Sequence, residues 1–317
     1  MYEKSLDPDI LQVARVRFQR LLGGKHFEIK KENVDQLISG SIDLHIHAWP
    51  DAYVARQHSE IEIGRRATDA GMRAVVFKCH STPSAGRTPL VQEAVDEYAG
   101  HAGKPATQIV GGVVLNYCVG GINPHAVETC AKFGGRYVWL PSVHASHHFL
   151  VQGKEGGIPV LDDRKRVLPA LKEVLKIIAE KDMVLGLAHQ SAEERFLVVQ
   201  ESKDIGVKRI SADHPQGLVN KLTVEQMKEM AEMGVSMCIQ NQTIFSHELN
   251  DETLEMIEKV PVDRLVYGSD LTQWGAVHPV DGIRMVIEIL MKFGVPEETL
   301  RKIFVENPNQ LLFEALN

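Results

Sequence analysis

Ser41-Ile42-Asp43-Leu44-His45-Ile46-His47 is the stretch on which the reading of the fold turns. It is short, with Ile42, Leu44 and Ile46 apolar, and it reads as a strand buried on both faces, of the kind that belongs to parallel sheets. Seven further runs share this character: Ala74-Val75-Val76-Phe77-Lys78, residues 109–115, Tyr137-Val138-Trp139-Leu140, residues 183–189, Lys208-Arg209-Ile210-Ser211, residues 235–240 and Leu265-Val266-Tyr267-Gly268. Each is bounded by Gly, Pro, Asp or Ser. Between them lie stretches with apolar residues at helical spacing, over 61–70, 89–98, 124–133, 165–180, 192–205, 223–233 and 251–259. Thr223 with Gln226 has the form of a capping box, in which hydroxyl and amide side chains satisfy orphan N–H groups at a helix start. Strand and helix alternating eight times predict a (β/α)8 TIM barrel, with a doubly wound open sheet as the rival.

The length agrees. A barrel takes about 250 residues, and the chain has 317. It reads as one domain, with an N-terminal helical extension over 1–40 and the barrel over 41–317. With 44% hydrophobic and 24% charged residues it has an ordinary globular composition, which excludes disordered, collagenous and disulfide-stapled classes. Thirty-five basic residues against 42 acidic ones give a net charge of −7. No basic tract is present, which argues against a nucleic-acid partner. Cys79, Cys118, Cys130 and Cys238 show no CxxC spacing and read as free thiols in a reducing compartment. The N-terminus lacks the apolar core of a signal peptide, and no apolar run is long enough to span a bilayer. The expectation is a soluble cytoplasmic protein with a small-molecule partner and no membrane partner. Ile10, Leu11, Ala14, Phe18, Leu21 and Leu22 form an apolar stripe. The preferred reading is that it plugs the barrel bottom or packs on its outside; the sharper one is a homo-oligomer contact. Residues 142–164, with Gly153, Gly156 and Gly157, form the longest irregular stretch and read as a lid.

Polar residues gather where the apolar runs end. His45 and His47 close the first run, two apart and so on one face of a strand. His189 closes the fifth, His214 follows the sixth, and Asp270 follows the eighth. Barrel active sites sit at the C-terminal ends of strands. Neutral imidazoles and a carboxylate are ligands for Zn²⁺ and similar divalent ions. The bland alternative for each residue is a core histidine satisfied by backbone. Lys78 ends the second run. It reads either as a charge partner of Asp43 or Asp270, as a substrate anchor, or as a carbamylated bridge between two metals. For substrate contact the candidates are Trp49 and Trp274 past the metal motifs, His80 and Arg87 on the loop after the second run, Asn116 and Gln240 at run ends, and His144 on the long loop. The guanidinium of Arg87 has the fork that grips a carboxylate. His147 and His148 read as solvated, and His26, His58, His101, His125, His247 and His278 as surface residues.

The order His-x-His, His, His, Asp after strands one, five, six and eight resembles the amidohydrolase superfamily of metal-dependent barrel hydrolases, and within it an uncharacterised subfamily. Gly40-Ser41-Ile42-Asp43-Leu44-His45-Ile46-His47 is similar to that family's opening motif, and Asn307-Pro308-Asn309-Gln310-Leu311-Leu312 to its tail. The resemblance covers about residues 40–315. One departure stands out: many two-metal members carry a bridging Lys or Glu on strand four, and here Leu140-Pro141-Ser142 offers neither. Lys78 either supplies that bridge or the site holds one ion.

The resemblance implies a metal-dependent hydrolase that cleaves an open or cyclic amide or a lactone with metal-bound hydroxide. Asp270 moves the proton, and His214 either ligates a second ion or binds the oxyanion. In the two-metal form His45, His47, Lys78 and Asp270 hold one ion, and Lys78, His189 and His214 the other. The implied cofactor is Zn²⁺, with Mn²⁺ or Fe²⁺ allowed by the same ligands. The alternatives are a single-metal decarboxylase of a carboxylated ring and a metal-binding relative without turnover.

Overall fold

The structure, a computed structural model, describes residues 29–245 and 250–314. The apolar stripe at residues 10–22, His26 and His247 lie outside the described residues. After helix α1 (Lys31–Ile38) the chain runs β1 (Ile42–Ile46), α2 (Glu60–Asp69), β2 (Ala74–Phe77), α3 (Thr88–Ala102), β3 (Gln108–Val110), β4 (Gly112–Val114), α4 (Pro124–Lys132) and β5 (Tyr137–Trp139). It continues through α5 (Ser146–Val151), α6 (Pro169–Glu180), β6 (Val184–Leu187), α7 (Ala192–Ile205), β7 (Arg209–Ala212), α8 (Val224–Glu232), β8 (Ser236–Ile239), α9 (Asn241–Phe245) and α10 (Asn250–Lys259). It ends with β9 (Leu265–Tyr267), α11 (Pro279–Lys292), α12 (Glu297–Arg301), a π turn (Lys302–Glu306) and α13 (Asn307–Leu312).

All pairings between these strands are parallel, in the order β1-β2-β3 and β4-β5-β6-β7-β8-β9. This is the TIM-barrel architecture that the alternation of runs predicts. The run at 109–115, expected as one strand, is broken at Gly111 into β3 and β4. The Ala85 turn packs so close that a Cβ on Gly111 would stand 2.7 Å from the Ala85 nitrogen. Ser84 replaces the missing ladder: its hydroxyl donates to the Phe77 carbonyl and accepts the Gly112 N–H at 2.9 Å. Between β9 and β1 the backbone N–H of Asp270 donates to the His45 carbonyl at 2.8 Å, and that of Ser269 to Asp43 Oδ1 at 2.8 Å. Gly268 permits this approach, since a Cβ there would lie 2.8 Å from the Cβ of His45.

Strand alternation divides the apolar residues into two cores. The larger lies between strands and helices. The smaller fills the barrel axis with Ile42, Leu44, Ala74, Val76, Val110, Val114, Tyr137, Trp139, Val184, Cys238 and Val266. Leu311 and Leu312 of α13 close it from below, held by Arg209 and Arg136, whose guanidinium groups donate to the carbonyls of Leu311 and Leu312. The C-terminal helix thus contributes to closing this end of the barrel core.

Helix starts follow local chemistry. The capping box at Thr223 and Gln226 forms as its spacing predicts, and Ser191 with Glu194 makes a second at α7. The helix expected from 165 begins at Pro169 instead. Asp162 Oδ1 accepts the N–H groups of Arg164 and Arg166, and Lys165 sits at φ +59°, which turns the chain before the helix can start. The stretch 142–164 is not wholly irregular, for α5 lies within it. No helix among the described residues is long and apolar enough to cross a membrane.

Candidate metal centre

The barrel mouth collects the side chains that the strand ends release. His45 and His47, both buried, project from β1 and the residue after it. The next turn beyond β9 swings Asp270 over them at φ +53°, a backbone conformation uncommon for a non-glycine residue. His45 Nε2 and His47 Nε2 are 3.2 Å apart. Asp270 Oδ1 is 3.4 Å from the first and 3.2 Å from the second. Ligand atoms about 2.0–2.1 Å from a tetrahedral ion stand about 3.3–3.4 Å from one another. The triangle therefore has the edge length of one face of a tetrahedral site, and its donor set, two imidazoles and a carboxylate, fits a divalent cation.

Neighbouring groups around three of the rings set which nitrogen offers a lone pair. His45 Nδ1 lies 3.2 Å from Asp213 Oδ2, at ion-pair distance though not aligned as a hydrogen bond. A carboxylate at that nitrogen draws the ring proton to it and leaves Nε2 as the ligand atom. His214 is arranged the other way. The Asn220 amide nitrogen donates to the Ala188 carbonyl and approaches His214 Nδ1 at 3.0 Å. That nitrogen accepts, so the proton of the neutral ring sits on Nε2. His189 is set by a longer chain. Lys154 donates to Gln152 Oε1 at 2.9 Å, which turns the Gln152 amide nitrogen toward His148 Nε2 at 2.8 Å. His148 Nδ1 then carries a proton and donates to His189 Nδ1 at 2.7 Å. His189, like His214, is left with its proton on Nε2. Burial holds His45, His47, His80, His189 and His214 well below the ordinary imidazole pKa, so all five rings are neutral at pH 7.

Two other groupings of potential ligand atoms occur among the described residues. One joins His45, Asp213 and His214. The other joins His58, Glu62 and His278 away from the first. In the latter His278 Nδ1 accepts the Val280 N–H at 3.1 Å as a helix N-cap, which puts the ring proton on Nε2 and withdraws that nitrogen from ligation.

The other sequence-derived candidates have varied surroundings. Lys78 is fully buried, and its amine reaches Asp213 Oδ2 at 3.1 Å rather than Asp43 or Asp270. Arg87, expected to have a free fork, binds Glu60 through Nε and Nη2 and Thr82 through Nη1. Asn116 ties loops together, donating to the His80 carbonyl and Ser142 and accepting the Ser142 N–H. The His80 ring stands 4.6 Å from that of His47, with Nδ1 on Ser142. His144 packs beside Tyr117, and Trp49 and Trp274 are exposed on their loops. Gln240 is buried and lines a cavity of about 380 Å³ that also takes in His189, His214 and Asp270. His148 and His278, expected at the surface, are buried, the first against His189 and the second as the cap of α11.

Sequence reasoning missed Asp213, His148 and Asn220. Asp213 precedes His214 at the end of β7 and had a signal in its position. His148 and Asn220 act through other side chains and had none. Arg56 was missed as well; it is buried, with Nε on Asp51 at 2.8 Å and Nη1 without a partner among the described residues.

The family model for DUF6282, a family of unknown function, matches residues 40–238. No curated protein matches the sequence. Among solved structures, an amidohydrolase from Pseudomonas aeruginosa superposes with a TM-score of 0.58 at 16% identity, covering 88% of this chain and 97% of its own. The probable dipeptidase PvdM from the same organism gives 0.57 at 13%, covering 89% and 98%. The organophosphorus hydrolase from Deinococcus radiodurans gives 0.52 at 16%, covering 88% and 93%.

Proposed function

We propose that this chain, which belongs to the DUF6282 family of unknown function, is a hydrolase of an amide or lactone bond in a small molecule, dependent on one divalent metal ion. The observation that carries this reading is the convergence of His45 Nε2, His47 Nε2 and Asp270 Oδ1, with edges of 3.2–3.4 Å, beside a cavity of about 380 Å³. The fold shared with an amidohydrolase, a probable dipeptidase and an organophosphorus hydrolase supports it.

His45, His47 and Asp270 would hold the ion. When bound, a divalent cation supplies Lewis acidity toward a carbonyl oxygen and lowers the pKa of a water molecule from 15.7 to about 7. The rest is work for the chain. Asp213 keeps the proton of His45 on Nδ1 and so keeps Nε2 available. Asp270 has its second carboxylate oxygen free to take the proton of the attacking water and return it to the leaving nitrogen or oxygen. His214 and His189, each with a proton on Nε2, donate hydrogen bonds to the oxygen on which negative charge develops. Lys78 neutralises Asp213 and leaves the site one fixed anion, Asp270, facing the cavity. This division favours one ion over two, because the nitrogens that a second ion would need carry protons.

The test is metal content and turnover together. The zinc-loaded chain is expected to hold one ion by elemental analysis and to hydrolyse members of a panel of lactones, scored by proton release in a pH-stat, or of amides, scored by amine release. His47→Ala and Asp270→Ala are expected to lose both the ion and the activity with an unchanged circular dichroism spectrum. Lys78→Met is expected to keep its single ion. Two ions in the parent chain, or turnover surviving in Asp270→Ala, overturns the reading.

A further inference from the structure

Resting on that reading of the site, we infer that His80 is a further substrate-contacting residue, whose neutral ring donates a hydrogen bond from Nε2 to an oxygen of the substrate beside the ion, on the His47 side. The tautomer follows from a chain of bonds in which each partner leaves the next one choice. The His80 carbonyl can only accept, so the Asn116 atom 3.1 Å from it is the amide nitrogen Nδ2. The Ser142 N–H can only donate, and it donates to Asn116 Oδ1 at 3.0 Å, which fixes the same orientation. Asn116 Nδ2 also donates to Ser142 Oγ at 3.0 Å, so that oxygen accepts. Ser142 is fully buried, and the one acceptor left for its hydroxyl proton among the described residues is His80 Nδ1, at 2.9 Å. Buried polar groups are hydrogen-bonded as a rule. The Ser142 hydroxyl therefore donates to Nδ1, and the proton of the His80 ring sits on Nε2.

Geometry puts that N–H in the barrel mouth. His80 follows β2 by three residues, at the face where His47 leaves β1, and the two rings are 4.6 Å apart. Burial is the main cause that holds down the pKa of His45 and of His189, and the His80 ring adds to it in both, so His80 stands within the histidine cluster and not behind it. His80 is 8% exposed. Its Nε2 has no partner among the described residues and keeps accessible surface, whereas the unpartnered Nδ1 of His47 is sealed. The ion gives this donor its use. A substrate oxygen drawn to a cation on His45, His47 and Asp270 gathers negative charge, and a fixed N–H beside such an oxygen stabilises it most where the charge develops. With its proton on Nε2, His80 has no lone pair there to spend on the ion, so the donor stays free when the ion binds.

The experiment uses the zinc-loaded full chain. In ¹⁵N-histidine NMR the His80 signals, assigned by their loss in His80→Gln, are expected to show the proton on Nε2, and Ser142→Ala is expected to lose that fixed tautomer. The binding probe is methylphosphonate, whose tetrahedral oxygens stand in for those of an addition intermediate, measured by calorimetry. His80→Phe keeps a ring and removes the donor; it is expected to weaken the probe about tenfold while zinc content stays at one ion. His80→Gln, which restores an N–H donor, is expected to recover most of the affinity, which a merely structural ring would not. Ser142→Ala is expected to weaken the probe in the same direction as His80→Phe. A proton on Nδ1 in the parent chain, loss of the ion in His80→Phe, unaltered affinity in that variant, or no binding of the probe by the parent overturns the inference. His80-dependent binding without hydrolysis of any lactone or amide sinks the proposed reaction and leaves this inference standing. Hydrolysis that is indifferent to His80→Phe does the reverse.

Discussion

His45 does its work through both of its nitrogens. Nε2 belongs to the triangle with His47 and Asp270, while Nδ1 faces Asp213, which in turn holds Lys78. A metal-binding imidazole with a carboxylate behind it is fixed in tautomer and made more basic, and losing such a partner lowers metal affinity about 10- to 100-fold. Asp213→Asn is therefore expected to weaken zinc binding by about that factor in a chelator competition. It also strands the Lys78 ammonium in a buried site, with a loss of about 3–5 kcal/mol in urea unfolding. Lys78→Met combined with Asp213→Leu is expected to recover the stability and not the affinity. Equal affinity in Asp213→Asn and the parent chain would show that the carboxylate does not set the ligand.

At the scale of elements, strand ends carry the chemistry and glycines let them converge. The largest side chain inside the barrel is Trp139 on β5, stacked on Tyr137 with ring centroids 4.6 Å apart. Its space is made by Gly112 on β4 and Gly186 on β6: a Cβ on Gly112 would stand 2.7 Å from Trp139 Cζ3, and one on Gly186 would overlap Cδ1. The Lys78 amine sits 5.6 Å over the Trp139 ring and the His45 ring stands 6.5 Å from it, so the indole lies beside the candidate metal centre as well as filling the core. Gly186→Ala is expected to destabilise the chain by about 1–3 kcal/mol through overpacking, read as a lower urea midpoint. Gly186→Ala with Trp139→Phe is expected to recover part of that loss. His214, Asp270 and Thr272 all have positive φ, at 34°, 53° and 92°. Residues held in such regions cost about 1–3 kcal/mol each and persist where the surroundings over-determine them. Here the surroundings include the bonds from Asp270 N–H to the His45 carbonyl and from Thr272 Oγ1 to the His47 carbonyl, 2.8 Å each.

For the whole molecule, buried histidines set the pH dependence. His45, His47, His80, His189 and His214 are held well below their ordinary pKa by burial, and His278 is pushed down to about 3, chiefly by burial with Arg66 adding to it. Each binds its proton more weakly folded than unfolded. Its contribution to stability is present above the unfolded pKa of about 6.5 and is lost as pH falls below that value. Asp43 acts in the opposite sense. Burial pushes its carboxyl up to about 7, so its contribution is present at low pH and lost as pH rises through that value. The histidines outnumber it, and the melting temperature is expected to drop on going from about pH 7 to about pH 5. His278→Asn retains a side-chain oxygen for the N-cap and removes the titrating ring. It is expected to shrink the drop, and a drop of unchanged size would count against the buried neutral state of His278.

The runs ending in His45, His47, His189, His214 and Asp270 were legible because burial and strand periodicity write themselves into local sequence. A strand covered on both faces must be apolar along its length, and a polar residue that interrupts it at the C-terminal end is conspicuous. Capping at Thr223 was legible for the same reason, since donor and acceptor lie three residues apart. What the sequence by itself determined is thus the alternation of strand and helix and the set of side chains that the strand ends deliver. Only the tertiary structure decided how those side chains divide their labour. Asp213 faces His45 across 168 positions of chain, Lys78 faces Asp213 across 135, and His148 faces His189 across 41. Tautomers and ion pairs depend on distances of a few ångströms between such partners. No local pattern encodes those distances, because they are set by the packing of separate strands around one axis.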